Sequence, residues 1–245
     1  MDVSSLSIAP ESGFLPQAGS ADRYEPAQSP HQGGFQLGAT EHARSKIDRL
    51  LALIGFAWVR PALAQNSLVV TNTTDTTGVA GQTSLRDAIN YANSGSAGAN
   101  PVITFSSAVT GTITLASPLQ LSTAAGANSV TVQGPGAAAL TLSGNSTFAA
   151  FDVGAGTVAT LSGLTIADGE VSNYGGFINY GTLTIAGCVF TGNHSSVDGG
   201  AILNYESLTV SNSTFSGNSA QTAGAICNFG ILSISNSSFS SSHIG

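Results

Sequence analysis

A period of 24 or 25 residues, visible from Leu161 onward, constrains this chain more than any other feature. Three segments carry it: Leu183-Thr-Ile-Ala-Gly-Cys-Val-Phe190-Thr-Gly-Asn193, Leu208-Thr-Val-Ser-Asn-Ser-Thr-Phe215-Ser-Gly-Asn218 and Leu232-Ser-Ile-Ser-Asn-Ser-Ser-Phe239. A second landmark keeps the same step, at Gly175-Gly-Phe-Ile-Asn179, Gly200-Ala-Ile-Leu-Asn204 and Gly224-Ala-Ile-Cys-Asn228. Each repeat is a set of short alternating apolar runs separated by Gly, Asn and Ser. None contains a run of helical length. Such a unit cannot bury its apolar face alone and must stack on its neighbours, which is the logic of a solenoid.

The expected fold is therefore all-β: a right-handed, single-stranded parallel β-helix with a short N-terminal capping helix. Three short strands per turn are expected, taken from Gly-Ala-Ile-Leu-Asn, Leu-Thr-Val and Ser-Thr-Phe. Successive coils lie about 4.8 Å apart, so residues one period apart stack. Ile166, Phe190, Phe215 and Phe239 are the expected core stack, with Ile202 and Ile226 following Phe177. Asn179, Asn204 and Asn228 are the expected structural ladder, each amide bonding the next. Gly175, Gly200 and Gly224 are expected to supply turn geometry that other residues resist.

Ahead of the regular repeats lie shorter strands and one helix. Ser84-Leu-Arg-Asp87-Ala-Ile-Asn-Tyr-Ala-Asn93 has Ser84 as N-cap and Asp87 in the place of a capping-box acid. Leu85, Ala88, Ile89 and Ala92 form one apolar stripe. Its task is to cover the exposed interior and strand edge of the first coil. Residues 65–110 are read as this cap, and residues 111–245 as coils that stop within a repeat.

Residues 1–43, rich in Pro, Gly, Ser and Gln, are read as a disordered leader with a start assigned too far upstream. Residues 44–64 have the three parts of a secretory signal. These are basic Arg44 to Arg49, apolar Leu50 to Trp58, and the small-residue site Ala62-Leu63-Ala64. Gln65 becomes the mature N-terminus. The apolar stretch is too short to span a bilayer, which needs about 20 residues, so no transmembrane segment is expected in the mature chain.

Charge excludes some functions. Only 8% of the residues are charged, and all six Lys and Arg lie at or before Arg86. From Gln65 onward, Arg86 stands alone against seven acids, Asp75, Asp87, Asp152, Asp168, Glu170, Asp198 and Glu206. Phosphate capture needs Lys and Arg, so nucleic acid is excluded as a partner of the repeats. Cys188 and Cys227 fall at different places in the repeat, which argues against a disulfide between them.

The residues also resemble a known family. Gly-Ala-Ile-Leu-Asn204 and Gly-Ala-Ile-Cys-Asn228, alternating with Phe190-Thr-Gly-Asn193 and Phe215-Ser-Gly-Asn218, look like the paired GGAI and FxxN motifs of polymorphic outer-membrane protein repeats. Thr83-Ser-Leu-Arg-Asp-Ala-Ile-Asn-Tyr-Ala-Asn93 resembles the SLREAI-type segment that opens many secreted bacterial β-helix proteins. The resemblance implies a pectate-lyase-like β-helix, exported to the outer membrane or beyond, often in adhesion. It also implies a C-terminal β-barrel, for which no segment is found.

The function expected is a non-catalytic exported scaffold, adhesin-like or a surface passenger. Its partner would be a cell-surface glycan or a surface protein of a host or neighbouring cell. The chain is expected to be a monomer, without catalytic residues or cofactor. The rival is a carbohydrate-active β-helix enzyme, a lyase or a hydrolase; a third alternative is a non-functional fragment of a longer outer-membrane protein. Lyases of this fold use an Arg base, absent after Arg86, and hydrolases need convergent carboxylates. Asp168, Glu170 and Asp198, with His194 nearby, are the candidate metal or acid site. Their convergence would favour the enzyme, and their separation the scaffold.

Overall fold

Residues 67–123 and 128–244 are described by a computed structural model. The expected leader, signal segment and mature start at Gln65 lie outside the described residues.

The chain winds as a right-handed parallel β-helix. The first turns hold β1 (Val69–Val70), helix α1 (Leu85–Asn93), β2 (Val102–Phe105), β3 (Gly111–Thr114), β4 (Leu119–Leu121), β5 (Val130–Gln133) and β6 (Leu140–Ser143). The next coil is β7 (Phe151–Val153), β8 (Val158–Ser162), β9 (Thr165–Ala167) and β10 (Glu170–Val171). It is followed by β11 (Phe177–Asn179), β12 (Thr182–Ala186), β13 (Val189–Thr191) and β14 (His194–Ser195). Then come β15 (Ile202–Asn204), β16 (Ser207–Ser211), β17 (Thr214–Ser216) and β18 (Ser219–Ala220). The last described coil is β19 (Ile226–Asn228), β20 (Ile231–Ser235), β21 (Ser238–Ser240) and β22 (His243–Ile244).

Like strands of successive coils pair in parallel and make four sheets along the axis. Their orders are β1-β2-β5-β8-β12-β16-β20, β3-β6-β9-β13-β17-β21, β4-β7-β11-β15-β19 and β10-β14-β18-β22. Each regular coil thus has four strands where the sequence reading expects three. The fourth is only two residues long. It follows a left-handed bend at Gly192 or Gly217 and a buried asparagine, Asn193 or Asn218, and buries Ser195 and Ala220.

The interior is a set of apolar columns. Ile113, Leu142, Ile166, Phe190, Phe215 and Phe239 lie in one register. The Phe190 and Phe215 rings stack at 4.8 Å and 3°, and Phe215 stacks on Phe239 at 4.7 Å. A second column runs Leu119, Phe151, Phe177, Ile202 and Ile226. Period-2 alternation explains both, since one face of each strand looks inward. Phe239 departs from the buried stack expected of it. It is 45% exposed, because among the described residues no coil lies over its outer face.

The glycines at 175, 200 and 224 have a different cause from the expected turn geometry. None has a positive φ. A Cβ on Gly175 would collide with the Gly200 carbonyl, on Gly200 with the Gly224 carbonyl, and on Gly224 with the His243 backbone. The coils approach too closely there for any side chain.

Helix α1 is capped as its sequence suggests. Ser84 Oγ accepts from the Asp87 N–H at 3.1 Å, and the Asp87 carboxylate accepts from the Ser84 N–H at 3.1 Å. Leu85, Ala88, Ile89 and Ala92 are buried in the common core. Arg86 forks onto Asp75 at 2.6 and 2.9 Å and donates to the Ser117 and Pro118 carbonyls, tying the helix to the turn before β4.

Candidate functional site

Four residue columns deserve chemical reading, and each is built by the register of the coils. The first is the asparagine ladder. Asn179 Nδ2 donates to Asn204 Oδ1, and Asn204 Nδ2 to Asn228 Oδ1, both at 2.6 Å. Each amide also bonds the carbonyl two residues on, at Gly181, Glu206 and Gly230. Asn179 and Asn204 are fully buried. Both side-chain polar atoms of Asn179 and of Asn204 are engaged within the protein, which leaves these two amides no group to offer a ligand.

A second ladder, from the FxxN motifs, escaped sequence reading. Asn193 Nδ2 donates to Asn218 Oδ1 at 2.9 Å and to the Ile166 carbonyl at 3.1 Å. Asn193 Oδ1 accepts from the Gly169 N–H at 2.9 Å, and Asn218 donates to the Phe190 carbonyl. The signal was present: both asparagines lie three residues after a stacked phenylalanine.

The candidate acids do not assemble. Asp168 occupies the exposed left-handed turn after β9, at φ 51°, and accepts from Ser143 Oγ at 3.3 Å. Glu170 is exposed on β10, in register with His194. Asp198 is in register with Asn173 rather than with Asp168, since its N–H bonds the Asn173 carbonyl at 3.3 Å. Its carboxylate faces the Cys227 thiol. Burial, together with that carboxylate, raises the thiol pKa. Among the described residues no group of three or more His, Cys, Asp or Glu side chains could hold a metal ion.

On the outer side of the smallest sheet Glu170, His194, Ser219 and His243 follow one another in register. His194 Nδ1 and Ser219 Oγ are 2.9 Å apart. They line a shallow cleft of about 290 Å³ with Ser195, Ser196, Gln221 and His243. Both histidines lie in two-residue strands, and both are exposed.

The most conspicuous outward feature is aromatic. Tyr180, Tyr205 and Phe229 each follow a ladder asparagine, and their rings stack at 5.0 Å and 6°, then 5.4 Å and 15°. They are 44%, 42% and 61% exposed. Their backbones are fixed by N–H bonds to the Val153, Asn179 and Asn204 carbonyls. Beside them the outward column Asp152, Ile178, Leu203 and Cys227 is in register, the last three forming a small buried cluster against Tyr174 and Ala223. The Asp152 carboxylate accepts from Tyr174 Oη at 2.9 Å and Gln120 Nε2 at 2.5 Å. Sequence reading passed over this ridge, although the dipeptides Asn-Tyr, Asn-Tyr and Asn-Phe recur at the repeat step.

Residues 187–205 match the sequence model of the Chlamydia polymorphic membrane protein repeat. That span runs from the turn before β13 to Tyr205, and so contains one FxxN motif, one Gly-Gly-Ala-Ile motif and one member of each asparagine ladder. No curated protein and no solved structure matches the chain. No helix of the described residues is long and apolar enough to cross a membrane.

Proposed function

We propose that this chain, a β-helix carrying a polymorphic membrane protein repeat, is a non-catalytic exported surface protein, adhesin-like in role and displayed at the outer membrane or outside the cell. One observation carries the reading: the repeat motif that matches is the same one that builds the stacked, rigid columns of the solenoid. Such a scaffold presents long flat faces of Ser, Thr and Asn hydroxyls and amides to a glycan or a surface protein, each contact weak and the row strong in sum. The separation of Asp168 and Asp198 supports a binding role over hydrolysis, because acid–base cleavage of a sugar needs two carboxylates facing one bond.

The test is display and adherence. Cells expressing the full chain are treated with a membrane-impermeant protease and probed with antibody against the repeats. They are then measured for attachment to host or neighbouring cells. Labelling of intact cells and attachment that a purified chain competes away are expected. Retention of the chain inside the cell, or release of reducing sugar or unsaturated product from a polysaccharide panel, overturns the reading.

A further inference from the structure

His194 and His243 are the two histidines of the described residues, and the coils bring them into one column. Strands β14, β18 and β22 pair in register, so His194, Ser219 and His243 project from the same face of the sheet on consecutive coils. Two coil steps set the histidine backbones about 10 Å apart. Both side chains are exposed, and both line the cleft of about 290 Å³.

The residue between them decides what the pair can do. Rings on adjacent coils stack and fill the space, as those of Phe190 and Phe215 do at 4.8 Å. Ser219 is small, so it leaves a gap between the imidazoles that stacking does not close. Ser219 also holds His194, its Oγ lying 2.9 Å from Nδ1. That contact orients the ring and leaves Nε2 as the nitrogen available to a ligand, which is how an outer partner prepares a metal-binding histidine. The strands beneath are fixed as well. The His194 N–H donates to the Gly169 carbonyl at 2.8 Å, and the His243 N–H to the Asn218 carbonyl at 3.0 Å.

The chemistry of the gap selects its occupant. Imidazole nitrogens suit copper, nickel and zinc, whereas calcium and magnesium take oxygen donors. The surroundings favour a cation too. Glu170 stands one coil before His194 in the same column, and from Asp87 to Ile244 there is no Lys or Arg. The thiols of Cys188 and Cys227 are buried and do not compete for the ion.

We propose that His194 and His243, spaced by Ser219, form a two-histidine site for a divalent late transition-metal ion, with water in its remaining positions. Copper(II) is the tightest occupant, following the affinity order of nitrogen-donor sites. The site goes beyond the surface-scaffold reading and does not depend on it.

The full chain, prepared without a polyhistidine tag, is titrated calorimetrically with copper(II), zinc(II) and calcium at about pH 7.5, where protons compete little for the imidazoles. One copper ion per chain is expected, bound more tightly than zinc, with no binding of calcium. His194→Ala and His243→Ala are each expected to weaken copper binding at least about tenfold, the scale on which even the outer partners of a metal site count. His31→Ala/His42→Ala, which removes the other two histidines, should leave the affinity unchanged. Circular dichroism of the single variants should match the natural chain, since both positions are exposed. The ring-proton resonances of His194 and His243 should also broaden together as copper(II) is added to the unsubstituted chain, a reading that needs no variant. Absence of copper binding, copper affinity that survives either single substitution or falls in His31→Ala/His42→Ala, or displacement of copper by calcium overturns the proposal. Broadening of one of the two ring resonances without the other does so too.

Discussion

Asn204 lies directly over Asn179, receives its amide proton at 2.6 Å, and passes the same bond on to Asn228. The pair ties two coils together inside the wall, where water cannot replace a missing partner. Two carbonyl groups besides these accept from Asn204, those of Glu206 and Ile231. Asn204→Ala is expected to destabilise the protein by about 2–4 kcal/mol, from roughly 1–3 kcal/mol for each buried group left unpaired. Asn228→Ala, at an exposed position, should cost clearly less. Thermal unfolding followed by circular dichroism checks the order; equal losses at the two sites would show that burial does not set the ladder's worth.

The left-handed turn after the longest strand of each coil is occupied in turn by Gly163, Gly187, Asn212 and Asn236, at φ 60°, 61°, 49° and 47°. A Cβ at Gly187 meets nothing within 4 Å. Gly187→Asn is therefore expected to be neutral within about 0.5 kcal/mol, whereas Asn212→Val should lose about 1–2 kcal/mol to the left-handed backbone. Gly175→Ala should prevent folding of the coil, because its new methyl would overlap the Gly200 carbonyl. Urea midpoints for the first two variants and soluble yield for the third provide the readings. A stable Gly175→Ala protein would mean that the coil spacing can yield.

Phe190 is fully enclosed, while Phe239 is open on one side. Phe190→Ala is expected to cost about 3–5 kcal/mol and Phe239→Ala distinctly less, because half of its ring already meets water. If the two substitutions lowered the melting temperature alike, the column would not be behaving as a graded stack.

Tyr174 gives a dependence on pH. Burial, followed by the Asp152 carboxylate that accepts its proton, holds the Tyr174 hydroxyl well above its ordinary value of 10.0. The folded state therefore keeps the proton that the unfolded chain releases. The sign follows: this stabilisation is complete below about pH 10 and is lost as the pH rises above it. Tyr174→Phe should be less stable than the natural protein at pH 8, and the gap should narrow towards pH 11. Melting temperatures across that range decide it, and a constant gap would remove the role given to the Asp152 contact.

The repeat was legible because a solenoid translates sequence period directly into spatial register. Leu183, Leu208 and Leu232 recur at the repeat step, and their strands pair residue for residue. The cap was legible too, since a capping box is local and depends on Ser84 and Asp87 alone. What eluded the sequence depended on direction. Glycines 175, 200 and 224 resemble turn glycines until the facing carbonyls are seen. Tyr180, Tyr205 and Phe229 resemble core residues until the strand before them is known to end at the asparagine.

The sequence by itself determined the architecture: a strand period, a coil length and the column to which each residue belongs, because alternation and repetition are properties of order along the chain. Only the tertiary structure decided which columns face outward and which acids meet. Asp168 and Asp198 differ by 30 positions, close to one coil, yet the excess beyond the repeat step carries Asp198 round the wall to the register of Asn173. Convergence of side chains depends on rotation about the axis as well as on height along it, and the corner geometry that sets this rotation arises from packing between coils.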